Sequence, residues 1–163
     1  MFDFTPDTGL TKPERYRQLA IAAASLVEGE TDAVANMANI AALMAEYLPD
    51  LNWAGFYRLA GEELVLGPFI GRPACLRIAL GEGVCGVAAA TGETQLVEDV
   101  AAFPGHIACD ALTQSELVVP VHNNGRVIAV IDLDSPTRAR FDAEDAAGVE
   151  ILAKSISSTI SSA

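Results

Sequence analysis

Asn123-Asn124-Gly125 separates two apolar runs, ELVVPVH at 116–122 and RVIAVIDLDS at 126–135. Asn-Gly between apolar stretches is a strong hairpin signal, because these residues accept the positive φ that a tight turn requires. The two runs are therefore expected to pair antiparallel. NWAGFYRL (52–59) and ELVLGPF (63–69) form a second expected pair, joined by a short turn at 60–62. PACLRIAL (73–80) and TQLVEDV (94–100) read as two further strands. Pro120 inside an apolar strand suits an edge or a bulge, since proline cannot donate to the ladder.

Helical periodicity brackets this β region. Pro13 opens a helix whose apolar positions are Tyr16, Leu19, Ala20, Ala23, Ala24 and Val27. A second helix is expected from a Thr31 cap to Tyr47, with Val34, Met37, Ala38, Ala41, Leu43 and Met44 on its apolar side and Pro49 ending it. GEGVCGVAAATGE (81–93) reads as a glycine loop entering a short helix, with Cys85 close to its N-terminus. FDAEDAAGVEILAKSISSTI (141–160) reads as a closing helix, capped by Asp142 and stapled by Phe141, that buries Val149, Ile151, Leu152, Ile156 and Ile160. The order implies an α+β fold: one antiparallel sheet of about six strands with helices mainly on one face. Residues 1–12 are expected to be a flexible leader and 13–163 a single domain.

The chain has 163 residues and a net charge of −12, from 10 Lys and Arg against 22 Asp and Glu. Such a surface repels phosphate backbones and anionic lipid, so neither nucleic acid nor membrane is expected as a partner. No stretch approaches the ~20 apolar residues of a membrane span. The start has acids where a secretory signal has an apolar core, so a cytoplasmic location is expected. Cys75, Cys85 and Cys109 are widely spaced and give no C-x2-C zinc pattern. His106 and His122 are too scattered to suggest a metal centre, so no metal or other cofactor is expected.

The residues that can carry chemistry lie in three places. Cys109 occupies GHIACDALTQSE, a segment broken by Pro104 and Gly105, and irregular segments often display reactive groups. A free cysteine can equally pack as an inert small hydrophobe. Cys75 and Cys85 are either partners for an oxidised thiol or space-filling residues. Asp132 and Asp134 point to one side of their strand while Ile131 and Leu133 point to the other, and Glu116 opens the partner strand. They form either a solvated strand end or a pocket of close carboxyls, in which like charges keep one group protonated at neutral pH. Trp53 and Tyr57 also share a strand face, as the lining of an apolar slot or as ordinary core.

These stretches resemble the free methionine-(R)-sulfoxide reductases, a family of GAF-domain enzymes. The matching segments are NWAGFY (52–57), LVLGPF (64–69), G-x-x-AC (71–75), G-x-GVCG (81–86), VEDV (97–100), F-x-GHIACD (103–110), SE-x-V-x-P (115–120) and V-x-D-x-DS (130–135). The resemblance implies a GAF-like catalytic domain, with a six-stranded antiparallel sheet and helices on one side. It implies Cys109 as the attacking thiol, Cys75 as the principal resolving thiol and Cys85 as an auxiliary one. Glu116, Asp132 and Asp134 would hold the substrate and protonate or polarise its sulfoxide oxygen. Trp53 and Tyr57 would enclose the methyl-sulfur end. It further implies free methionine sulfoxide as substrate, thioredoxin as electron donor and a homodimer.

The chemistry of the residues agrees. A sulfoxide oxygen leaves only once protonated, so a neutral carboxylic acid beside a thiolate is the needed pair. Carboxylates also suit the ammonium group that a free amino acid carries and a chain-embedded residue lacks. The alternative is a non-catalytic GAF module that senses a small molecule or redox state. A sensor is commonly fused to an output domain, and 163 residues leave no room for one.

Overall fold

The computed structural model describes residues 4–107 and 109–161. Helices α1 (Lys12–Leu26) and α2 (Ala33–Tyr47) come first, followed by strands β1 (Trp53–Ala60), β2 (Glu63–Gly71) and β3 (Arg77–Ala79). Helix α3 (Gly83–Thr91), β4 (Gln95–Val97), a single 3₁₀ turn at Val100–Ala102, the hairpin β5 (Ser115–Asn123) and β6 (Arg126–Ser135), and α4 (Ala143–Ile156) complete the chain. The strands form one antiparallel sheet in the order β3-β2-β1-β6-β5-β4. The Asn-Gly hairpin forms as expected, with Asn124 and Gly125 both at positive φ. It sets β6 beside β5, while β1 takes the other edge of β6 and so brings the two strand pairs together.

Strand alternation divides the core in two. Phe56, Leu117, Val119, Ile131 and Leu133 point to one face, where α1, α2 and α4 cover them. Trp53, Tyr57, Val118 and Val130 point to the other, where they meet Val84, Cys85 and Ala88 of α3. Helices thus lie mainly on one face, as expected, with α3 alone on the other. The α1–α4 contact is close because Gly148 has no side chain; a Cβ there would stand 2.2 Å from Tyr16 Cγ. Beside it, buried Asp145 accepts hydrogen bonds from Tyr16 Oη (2.8 Å), Lys12 Nζ (2.8 Å) and Arg140 Nη1 (3.2 Å).

Several boundaries differ from the sequence expectation, each for a local reason. Helix α2 starts at Ala33 rather than near Thr31, because Asp32 is the cap and accepts from the Ala35 amide at 2.8 Å. The Thr31 and Asp32 amides bond the Glu30 side chain instead. Val34 and Ile151, placed on buried sides by periodicity, are exposed. Of 73–80, only Arg77–Ala79 pairs, against Glu63–Val65. Residues 73–76 form an irregular connection, so Cys75 lies off the strand. β4 stops at Val97, and it covers only Glu116–Val118 of β5. Pro120 therefore sits on an uncovered stretch of β5, one residue before a register shift at Val121/His122.

Candidate active site

The sheet register assembles the polar residues. Glu116 on β5 faces Asp134 on β6, which in turn faces Trp53 on β1. One rung away, Val118, Asp132 and Gly55 form the parallel row. Directly opposed residues place their side chains about 5 Å apart on one face. Cys85, in the first turn of α3, drops onto this face with Sγ 4.0 Å from Glu116 Oε1. The donor atoms of Cys85, Glu116 and Asp132 all lie within 4.8 Å of one another.

Two irregular segments close over this floor. Cys109, on the segment between the 3₁₀ turn and β5, is joined to Cys75, on the β2–β3 connection, by a disulfide with Cα atoms 5.7 Å apart. Both are half-buried, whereas Cys85 is a buried free thiol. Asn52 anchors the first segment: its Nδ2 donates to Asp110 Oδ2 (3.1 Å) and Thr113 Oγ1 (3.0 Å), and its backbone N–H donates to the Asp134 carbonyl (3.0 Å). Arg72 approaches Asp110 at 3.8 Å. The aromatics anchor the second segment. Tyr57 Oη donates to the Cys75 carbonyl (3.0 Å) and Trp53 Nε1 to the Arg72 carbonyl (3.2 Å). Trp53 stacks between Tyr57 (5.9 Å) and Phe69 (5.1 Å).

Glycine makes that stack possible. A Cβ on Gly55 would lie 2.4 Å from Phe69 Cβ and 2.7 Å from its Cα, where β1 carries a register irregularity. A Cβ on Gly71, at φ +145, would lie 2.5 Å from Trp53 Cδ1. Seven of the eight residues singled out from sequence line one cavity: Trp53, Tyr57, Cys85, Cys109, Glu116, Asp132 and Asp134. The eighth, Cys75, is bonded to Cys109. The cavity volume is about 30 Å³.

Burial dominates the electrostatics. Glu116 and Asp132 are each only 6 % exposed, so neither is a solvated strand end. Burial, then the charges of Asp132 and Asp134, push the Glu116 carboxyl well above the usual range. Burial, then Asp132 and Asp110, do the same to Asp134. Asp132 is pushed up to about 7 by burial, with a hydrogen bond from Cys85 pulling the other way. The Cys85 thiol is raised well above its ordinary value by burial and by these acids, so it stays protonated. The site thus stores protons beside sulfur. Asp132 Oδ1 is buried without a hydrogen-bond partner.

Residue-by-residue reading of the sequence missed Asn52, His106, Asp110, Thr113 and Phe69. His106 Nε2 lies 3.8 Å from Glu116 Oε2, and burial lowers its pKa. Its place three residues before Cys109 was the available signal. Asn52 and Phe69 lie within recognised segments, but their roles depend on which loop and ring they meet.

The pattern of the GAF domain family matches residues 34–161. With the six-stranded sheet and its roofed pocket, this makes the chain a GAF-domain protein. It is 48% identical over 143 residues to the free methionine-R-sulfoxide reductase of Escherichia coli, covering 88% of this chain and 87% of that protein. It is 45% identical over 157 residues to the free methionine-R-sulfoxide reductase of Saccharomyces cerevisiae, covering 91% and 87%. The X-ray structure of free methionine-R-sulfoxide reductase from Neisseria meningitidis in complex with its substrate superposes with a TM-score of 0.90 at 45% identity, over 94% of this chain and 92% of that one. Within the GAF class, the chain belongs to the free methionine-R-sulfoxide reductase family.

Proposed function

We propose that this chain reduces free methionine (R)-sulfoxide to methionine, with Cys109 as nucleophile and Cys75 as resolving thiol. The observation that carries this reading is the single cavity in which Cys109 meets three carboxyl groups of raised pKa. Glu116 and Asp134 keep their protons at neutral pH and present O–H donors to the sulfoxide oxygen. Asp132, the least raised of the three, carries the charge that pairs with the substrate ammonium. Trp53 and Tyr57 form the apolar wall for the methyl-sulfur end.

Reduced Cys109 attacks the substrate sulfur as thiolate while the acid protonates the oxygen. The oxygen passes to Cys109 as sulfenic acid, and methionine leaves reduced by two electrons. The Cys75 thiolate then attacks Cys109 Sγ and expels the hydroxyl as water, forming the disulfide. An external dithiol returns two electrons by exchange. The incomplete burial of both cysteines supports a protein donor, for which we propose thioredoxin. Turnover with such a donor fits the cytoplasm, where thioredoxin keeps thiols reduced. The family resemblance supports a homodimer, which light scattering of the purified chain tests.

The deciding assay gives the reduced protein free R or S methionine sulfoxide with a dithiol and follows methionine release. Repeated turnover of the R epimer is expected. Binding or disulfide formation without repeated methionine release would instead mark a sensor and overturn the reading.

A further inference from the structure

The pocket holds a donor set that sulfoxide reduction does not exhaust. Cys85 Sγ, a Glu116 oxygen and an Asp132 oxygen arrive from α3, β5 and β6 and lie within 4.8 Å of one another. Three chain segments far apart in sequence thus converge one sulfur and two oxygens on one point. The second observation is Asp132 Oδ1, buried and without a hydrogen-bond partner. Buried polar atoms are bonded in the great majority of cases, so an orphan oxygen aimed into a pocket marks a place for a ligand.

We propose that this corner binds a zinc ion, with Cys85, Glu116 and Asp132 as ligands and a water completing the tetrahedron, in competition with the sulfoxide. Zinc takes sulfur at ~2.3 Å and oxygen or nitrogen at ~2.0–2.2 Å in a tetrahedron, so its ligands sit roughly 3.5 Å apart. The 4.0 Å from Cys85 Sγ to Glu116 Oε1 needs only a small contraction. A thiolate beside carboxylates selects zinc over magnesium or calcium, which prefer oxygen alone. Binding displaces the Cys85 proton and any carboxyl protons to solvent, and the dication offsets the crowded negative charge that remains. The metal uses neither Cys109 nor Cys75, so it binds whether or not their disulfide is formed. It occupies the acids a sulfoxide would need and acts as a reversible inhibitor. The site stands or falls independently of turnover.

The oxidised full-length protein isolates the question, because Cys85 is then the sole thiol among the three cysteines. Titration with cobalt(II) is expected to give a thiolate-to-metal charge-transfer band saturating at one ion per chain, and zinc is expected to bleach it. Cys85→Ser should abolish the band. Asp132→Asn and Glu116→Gln should each weaken zinc binding at least about tenfold in competition with a chromophoric chelator. Circular dichroism of each variant reports folding, and the two carboxyl variants keep the test open if Cys85→Ser does not fold. Absence of the band in the wild-type protein, or unchanged zinc affinity in the folded variants, would overturn the proposal.

Discussion

Glu116 and Asp134 face each other across the β5–β6 ladder, two acids in direct register on the pocket floor. Opposed like charges destabilise a sheet. The fold tolerates this pair, with Asp132 one rung away, because burial keeps protons on it.

That storage makes stability depend on pH in a defined direction. The unfolded Asp132 carboxyl titrates near ~3.9, and the folded one at about 7. Between these values the folded state binds more protons than the unfolded state. The contribution is present in full below about pH 4 and is lost as pH rises through about 7. Asp132→Asn removes this titration. Its stability relative to wild type should therefore increase as the pH rises from 5 to 8. Urea unfolding of both proteins across that range checks it, and a pH-independent gap would contradict the assignment.

Cys109→Ser should lower turnover of free methionine (R)-sulfoxide on the order of a thousandfold or more, since nothing else in the pocket supplies an accessible thiolate. Cys85 cannot substitute, being buried and held protonated. Methionine release under a dithiol is the measurement, and activity within a few-fold of wild type would remove Cys109 from its role.

Cys75→Ser separates the two halves of the cycle. The first methionine should be released at close to the wild-type rate, because Cys75 acts after the oxygen has moved. Steady-state turnover with thioredoxin should fall about tenfold or more, with Cys109 sulfenic acid accumulating. Rapid-quench methionine counting and trapping by a cyclic dione read the two effects.

Gly55→Ala tests the aromatic wall. The new methyl would meet the Phe69 backbone and side chain at the β1–β2 irregularity. The strands must part, at a cost of roughly 1–3 kcal/mol. Thermal unfolding should show the loss, with reduced near-ultraviolet dichroism from the disturbed Trp53 stack.

Asp145→Ala tests the scaffold behind the sheet. The substitution leaves Tyr16, Lys12 and Arg140 without their shared acceptor. Removing one partner of a buried ion pair costs about 3–5 kcal/mol. Denaturant midpoints measure it, and the pocket cysteines should still form their disulfide in the folded fraction.

Local chemistry explains what was legible in the sequence. Asn124-Gly125 states its own turn, and period-two alternation places Asp132 and Asp134 on the face away from Ile131 and Leu133 whatever the strand meets. The pairing of Glu116 with Asp134 is different, since it depends on register across a hairpin with a bulge at Val121/His122. The strand reading of 73–80 failed at residues 73–76, where Pro73 has no N–H to give and the chain serves a loop instead of a ladder. Helix α3 falls on the pocket face for reasons of packing, and no periodicity in GVCGVAAAT announces which side of the sheet it will take. The gathering of Cys85, Glu116 and Asp132 is likewise tertiary, because the three come from elements with no shared motif.

The covalent bridge between residues 75 and 109 fastens together two of the segments that roof the pocket. On the proposed cycle the bond that records a completed turnover also ties two parts of the roof together, so reduction both restores the nucleophile and frees those segments from each other.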